Sequence, residues 1–250
     1  MKRYELSEAQ WCRIEPMLPG KASDPGRTAG DNRLFINGVL WVLRSGARWS
    51  DLPERYGKYK TIHKRFTRWA RAGVWEAIFT LLARDRDNEY LMIDSSIVRA
   101  HAQAATGQKG GSANQALGRS RGGLTSKWHI AVDTFGRPVR FILTGGNASD
   151  PKLAIPLLTG LPASHVLADK AYDTYAILDH IEAQRAQPII PQRACMKRQR
   201  AFDSTKYKLR NRIERTIGKL KQLRRIATRY DRIPQNYLAC LYLASLSFWC

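Results

Sequence analysis

The chain has 250 residues, enough for one large domain or a small domain followed by a medium one. Its 44% hydrophobic and 25% charged residues are ordinary for a protein with a buried core. Its charge is not ordinary: 42 Lys and Arg against 21 Asp and Glu leave +21, which makes nucleic acid, rather than anionic lipid, the leading partner. Cys12, Cys195, Cys240 and Cys250 form no CxxC, zinc site or disulfide framework, which fits a reducing cytoplasm. The N-terminus lacks a signal-peptide core, and the apolar stretch from Tyr237 to Cys250 is too short to span a bilayer.

Residues 1–87 read as a small helical module. Ser7 followed by Gln10 is a capping-box pattern, opening a helix that carries Trp11 and Ile14 and ends at Pro16 and Pro19. Phe35, Val39, Leu40 and Leu43 repeat at helical spacing until Ser45-Gly46 breaks the pattern. A third segment, Thr61 to Leu82, sets Ile62, Phe66, Trp69, Val74, Ile78 and Leu81 among Lys64, Arg65, Arg68 and Arg71. Short helices with a basic, aromatic-rich last member suggest a helix-turn-helix-like DNA-binding module. A plain helical bundle with the aromatics in its core is the competing reading.

Residues 88–250 change character. Tyr90 to Asp94 is a short apolar run ending in an acid, and residues 105–126, rich in Gly, Ser and Gln, read as a mobile loop. Trp128–Asp133 and Pro138–Leu143 are strand-like around a turn at Thr134–Arg137. Asp150–Leu161 is a predicted helix, Val166–Asp169 a strand ending in an acid, Thr174–Arg185 a helix, and Pro188–Pro191 a brief strand. From Ser204 the pattern is helical again. Strands mixed with helices in this order predict an α/β sheet flanked by helices.

Asp94 and Asp169 each close an apolar strand, where carboxylates can converge at one sheet edge, although a single Asp there is usually a turn or cap residue. Converging acids in so basic a chain call for a divalent cation. Tyr207, Arg210, Glu214 and Lys221 fall within an arc of roughly 60° on one predicted helix. Leu209, Ile213, Ile217 and Leu220 form an apolar stripe roughly 110° further round, suited to packing on the sheet.

The pattern Tyr-(2)-Arg-(3)-Glu-(6)-Lys, met by Tyr207, Arg210, Glu214 and Lys221, resembles the YREK signature of bacterial insertion-sequence transposases of the DDE type. Ile93-Asp94-Ser95-Ser96 resembles the segment around their first acid, and Ala168-Asp169-Lys170-Ala171-Tyr172-Asp173 the second, where Gly is commoner than Ala171. Trp41 to Pro53 is similar to the helical module of insertion-sequence family 5. The resemblance covers nearly the whole chain, in order. It implies an RNase H-like catalytic fold in which Asp94, Asp169 and Glu214 hold two Mg²⁺ or Mn²⁺ ions, with Asp173 the rival for the second place.

The resemblance further implies that Tyr207, Arg210 and Lys221 contact DNA, in addition to Lys64, Arg65 and Arg68 of the N-terminal module. The partner is double-stranded DNA at the element ends and target, the setting the bacterial nucleoid, and the assembly a homodimer or larger. A catalytically silent descendant acting as repressor or architectural factor, and a metal nuclease or RNA-processing enzyme on the same fold, are the alternatives.

Overall fold

The computed structural model describes residues 5–25, 28–106, 115–197 and 200–249. The Ser7 hydroxyl accepts the Gln10 N–H while the Gln10 side chain accepts the Ser7 N–H, so both halves of the capping box form and open α1, Glu8–Ile14. Helix α2, Asn32–Ser45, is capped by Asp31 and buries Phe35, Val39, Leu40 and Leu43. The third predicted segment is two helices, α3 (Tyr59–Arg71) and α4 (Val74–Leu82). Gly73 turns the chain between them at φ +71°, a conformation glycine reaches without cost. The turn leaves Leu81 exposed on α4.

Strand β1 runs from Tyr90 to Ala100, well beyond the predicted run, so Asp94 lies within it and not at its end. A single helical turn, α5 (Ala102–Ala105), follows. The expected loop at 105–126 is corrected in its second half: Gly118–Ser120 is strand β2, and β3 begins at Gly123 and continues to Val132. Residues 107–114 of that loop lie outside the described residues. Thr125 and Ser126 are buried in β3, so polar composition there marks internal hydrogen bonds and not solvent. Strand β4 spans Pro138–Gly145, and α6 Asp150–Leu158. Strand β5 (His165–Leu167), α7 (Tyr175–Ala183) and β6 (Gln187–Ile189) come next. The chain then forms α8 (Ser204–Tyr207), a 3-10 turn at Lys208–Arg210, α9 (Asn211–Lys221), α10 (Arg224–Ala227), β7 (Thr228–Arg229) and α11 (Pro234–Trp249).

The sheet is mixed. Strands β4, β3 and β1 are antiparallel; β5 runs parallel to β1 and β6 parallel to β5. Strand β2 extends the β4 side of β3, and β7 pairs with the far end of β1. On β3, Trp128 and Ile130 face α11 with Phe141, whereas Lys127 and His129 face the start of α6. Helices therefore cover both faces, the RNase H-like arrangement. Helix α11 packs against α2, α3, α4 and β4, so the apolar side of the N-terminal helices and one face of the sheet share a continuous core. No helix among the described residues is long and apolar enough to cross a membrane.

Candidate active site

Register brings the first two acids together. Met92 of β1 pairs with Leu167 of the parallel β5; two residues onward, Asp94 lies within β1, while Asp169 stands just past the end of β5, beyond the strand predicted to close on it. Asp169 caps a 3-10 turn, its Oδ1 accepting the Ala171 N–H at 2.7 Å, while Asp94 Oδ1 accepts the Ser95 N–H at 2.7 Å. Each acid thus does the local work expected of a turn or strand-end carboxylate and keeps its other oxygen for further partners.

Helix α9 is placed on the sheet by its apolar stripe and by the β3–β4 hairpin. Ile213, Thr216 and Leu220 are buried, with Leu209 and Ile217 packed partly against the same core. The Thr216 hydroxyl donates to the Gly136 carbonyl at 2.6 Å, and Arg212 donates to the Thr134 carbonyl. Gly136 sits in the hairpin turn at φ +79°, where an added Cβ meets Thr216 Oγ1 at 3.0 Å, so turn and helix touch backbone to side chain. The 3-10 turn at Lys208–Arg210 tightens the predicted helix without changing its facing.

Arg210 and Lys221 of this segment reach β1, and Glu214 joins them through Arg210. Arg210 Nη2 donates to Asp94 Oδ2 at 2.7 Å and its Nη1 to Glu214 Oε1 at 2.5 Å. Lys221 Nζ donates to the Ile97 carbonyl of β1 at 3.2 Å, and burial lowers its pKa. Burial raises the Asp94 pKa; Arg210 and the Ser95 N–H pull it down, and Asp169 and Glu214 push it up. Burial works against the Arg210 charge, but Asp94, Tyr207, Glu214 and Asp169 together outweigh it and raise its pKa. Burial also raises the pKa of Tyr207, with Asp169, Glu214 and Asp94 adding to it against Arg210. Asp94, Asp169 and Glu214 therefore lie within one electrostatic neighbourhood. Among the described residues no three His, Cys, Asp or Glu side chains are close enough together to hold a metal ion, and a guanidinium stands between Asp94 and Glu214. Arg210 thus supplies the positive charge between two carboxylates whose hard oxygens are of the kind divalent cations take.

Asp173 is fully buried. It pairs with Arg200 at 2.7 Å and accepts the Arg193 N–H at 2.6 Å, so both its oxygens serve the chain's own packing. In the N-terminal module, Lys64 and Arg68 are exposed on α3. Arg65 is turned inward: its guanidinium lies 4.3 Å from the Phe35 ring centroid and 4.6 Å from that of Trp69, and it bonds Asn32. Phe35, Phe66, Trp69 and Trp75 form one buried aromatic cluster.

Sequence reasoning missed a polar cluster behind β1. Lys127 Nζ reaches Asp150 Oδ1 at 2.9 Å and the Ala148 carbonyl at 2.7 Å, and His129 Nδ1 lies 3.7 Å from Asp150. Burial drives the His129 pKa down to about 4, against an upward pull from Asp150 and with a lesser lowering by Lys127. The buried Tyr172, whose pKa is raised by burial and then by Asp150, Asp94 and Asp169, lies between this cluster and the acids. Alternation on β3, with Lys127 and His129 on one side of Trp128, was the available signal.

Residues 6–79 match the family model described as "Putative transposase of IS4/5 family", and residues 86–249 match that of the "Transposase DDE domain". The chain is similar to "Uncharacterized protein y4sN" of Sinorhizobium fredii, 47% identical over 100 residues that are 40% of this chain and 80% of that protein. It is also similar to "Putative transposase for insertion sequence element IS6501" of Brucella ovis, 34% identical over 131 residues that are 50% of this chain and 98% of that protein. Among solved structures, the piggyBac transposase synaptic complex with hairpin DNA shares the fold, with a TM-score of 0.52 and 11% identity over 96% of this chain and 70% of that one. Two family models that together span most of the chain, with the insertion-sequence relative, show that this chain belongs to the bacterial insertion-sequence transposases of the DDE family.

Proposed function

We propose that this transposase binds the terminal inverted repeats of its insertion sequence, cuts the DNA strands there and joins them to target DNA, with Asp94, Asp169 and Glu214 as the catalytic acids. The observation that carries the reading is the Arg210 bridge: two of the acids already share one cation, and the third, just past the strand parallel to β1, acts on the first by its charge. The three carboxylates would hold two Mg²⁺ or Mn²⁺ ions. Bound there, such ions would lend activation of a water or 3′-hydroxyl oxygen and charge stabilisation of the leaving oxygen at phosphorus.

The remaining work belongs to the chain's own residues. Arg210, which bridges Asp94 and Glu214, would be the group to pair with a phosphate at the cut site were a metal to hold those acids. Lys221, already held over β1 beside Ile97, adds a second positive charge, and Tyr207 lines the same site. Lys64 and Arg68 offer phosphate contacts from the N-terminal module, whereas Arg65 acts through packing. The buried Arg200 pair of Asp173 supports Asp169 as the second acid. Synapsis of two ends calls for two or more copies, and the setting is the nucleoid.

Asp94→Asn, Asp169→Asn and Glu214→Gln are each expected to abolish Mn²⁺-dependent nicking of an element-end duplex while gel-shift binding persists. Nicking retained in all three removes the assignment. Binding without nicking by the wild-type chain favours a silent DNA-binding descendant. A hydrolase without strand-transfer products favours a nuclease.

A further inference from the structure

Arg84, Arg86 and Arg140 line one cavity of about 360 Å³ bounded by α4, β4 and α11, two strands across the sheet from Asp94. Arg140 is fixed in place. Its Nη1 donates to the carbonyls of Thr159 at 2.6 Å, Leu157 at 2.9 Å and Pro156 at 3.2 Å, the free carbonyls at the end of α6. The Arg86 Nε is buried with no hydrogen-bond partner among the described residues. Burial lowers the Arg140 pKa, and the Arg86 charge lowers it further, so the two guanidiniums act on each other.

The carboxylates nearby are committed elsewhere. Asp85 pairs with Arg13, Asp87 accepts the Thr134 hydroxyl, and Asp133 pairs with Arg137 at 2.6 Å. Glu76, the one acid among the lining residues, accepts from the Tyr242 hydroxyl at 3.4 Å. Repelling cations around a cavity are stabilised when an anion enters and offsets their charge. Planar guanidiniums match the paired oxygens of a phosphate, and Arg84, exposed at the rim, can meet the next phosphate along a strand.

We propose that this cavity binds a backbone phosphate of duplex DNA, as an anchoring site separate from the Asp94, Asp169 and Glu214 centre. The inference rests on the DNA-cutting reading for the source of the phosphate. The site holds DNA by charge and not by sequence, and its loss lowers affinity for every duplex alike.

The test uses the full chain and two labelled duplexes of equal length, one with the element's terminal repeat and one unrelated, titrated across a salt series. Arg84→Ala/Arg86→Ala is expected to weaken both by the same factor, about tenfold at physiological salt, and to flatten the salt slope by about 1 to 2, one per lost phosphate contact. Arg86→Lys, which keeps the charge, is expected to retain most of the slope, separating charge from folding. In parallel, the Arg86 Nε–H resonance of ¹⁵N-arginine-labelled protein is expected to move with duplex and not with millimolar inorganic phosphate. An unchanged slope, a loss confined to one duplex, or a resonance that answers only to free phosphate overturns the proposal. A wild-type chain that binds neither duplex sinks the DNA-cutting reading itself. Normal wild-type binding with an unaltered variant overturns only the cavity's assignment.

Discussion

Arg210 and Asp94, 116 residues apart in sequence, meet at 2.7 Å, and the same guanidinium holds Glu214 with its other terminal nitrogen. This contact ties helix α9 to strand β1 and fills the place between two acids with a positive charge. It balances part of the repulsion among Asp94, Asp169 and Glu214 before any metal arrives.

Replacing Arg210 with Ala removes that charge. The metal-free protein is expected to lose about 1–3 kcal/mol of stability, since one partner of a mostly buried pair leaves others uncompensated. Added Mn²⁺ is expected to raise the melting temperature of the variant more than that of the wild type, because no side chain has to be displaced. Equal shifts in the two proteins would show that Arg210 and metal do not compete.

Asp94 offers the opposite sign. Its pKa is raised by burial, so the folded protein prefers the neutral carboxyl: the stability linked to it is complete below the ordinary Asp pKa and is lost as pH rises through the folded value. Asp94→Asn is therefore expected to melt no lower than wild type at neutral pH without metal, while losing the stabilisation that Mn²⁺ confers. A large drop in metal-free melting temperature counts against this account.

His129 reports on the cluster behind β1. Its pKa is depressed to about 4, so the neutral ring contributes stability that is present above pH 6.5 and is lost as pH falls toward 4, of order 3 kcal/mol. Melting curves between those limits are expected to fall less steeply for His129→Gln than for wild type. An imidazole titration by NMR near 6.5 would rule out the depressed value.

Arg225 and Asp231 form a buried pair at 3.4 Å, and Arg225 also lies 5.4 Å from the ring centroids of both Trp49 and Tyr230. The arginine is thus layered between a residue of the N-terminal helical region and the segment before α11. Arg225→Ala is expected to cost about 3–5 kcal/mol by stranding the Asp231 charge. Adding Asp231→Asn is expected to recover part of that loss in a double-mutant cycle read by chemical denaturation. Strict additivity of the two changes removes the coupling.

Much of the site was legible because it is built from local patterns. The Ser7–Gln10 cap, the facing of Tyr207, Arg210, Glu214 and Lys221, and the strand before Asp169 all follow from short-range spacing. What escaped depends on distant partners. Ser95 and Ser96 read as the end of a strand, yet β1 continues because β3 supplies its antiparallel ladder. Ser126 lies in a segment whose composition suggests a loop, but its hydroxyl donates to the Ala116 carbonyl at 2.6 Å and accepts from the buried Arg229 at 2.6 Å. The break at Gly73 was hidden by apolar residues that keep helical spacing across it. Nothing local to Arg210 tells that it bridges two of the acids.

Helix α11 bears on how the protein is made. Its 16 residues cover α2, α3, α4 and β4, so these helices, made well before it, wait for α11 to complete their packing. Contacts of such long sequence separation form late and hold back the cooperative transition. A polypeptide interrupted before Pro234 would keep its complete set of acids and basic side chains yet leave the apolar faces of the N-terminal helices uncovered. Such a product is expected to aggregate or be degraded rather than compete for DNA. Translational frameshifts or nonsense codons late in the reading frame would then silence the protein instead of yielding a dominant-negative DNA binder.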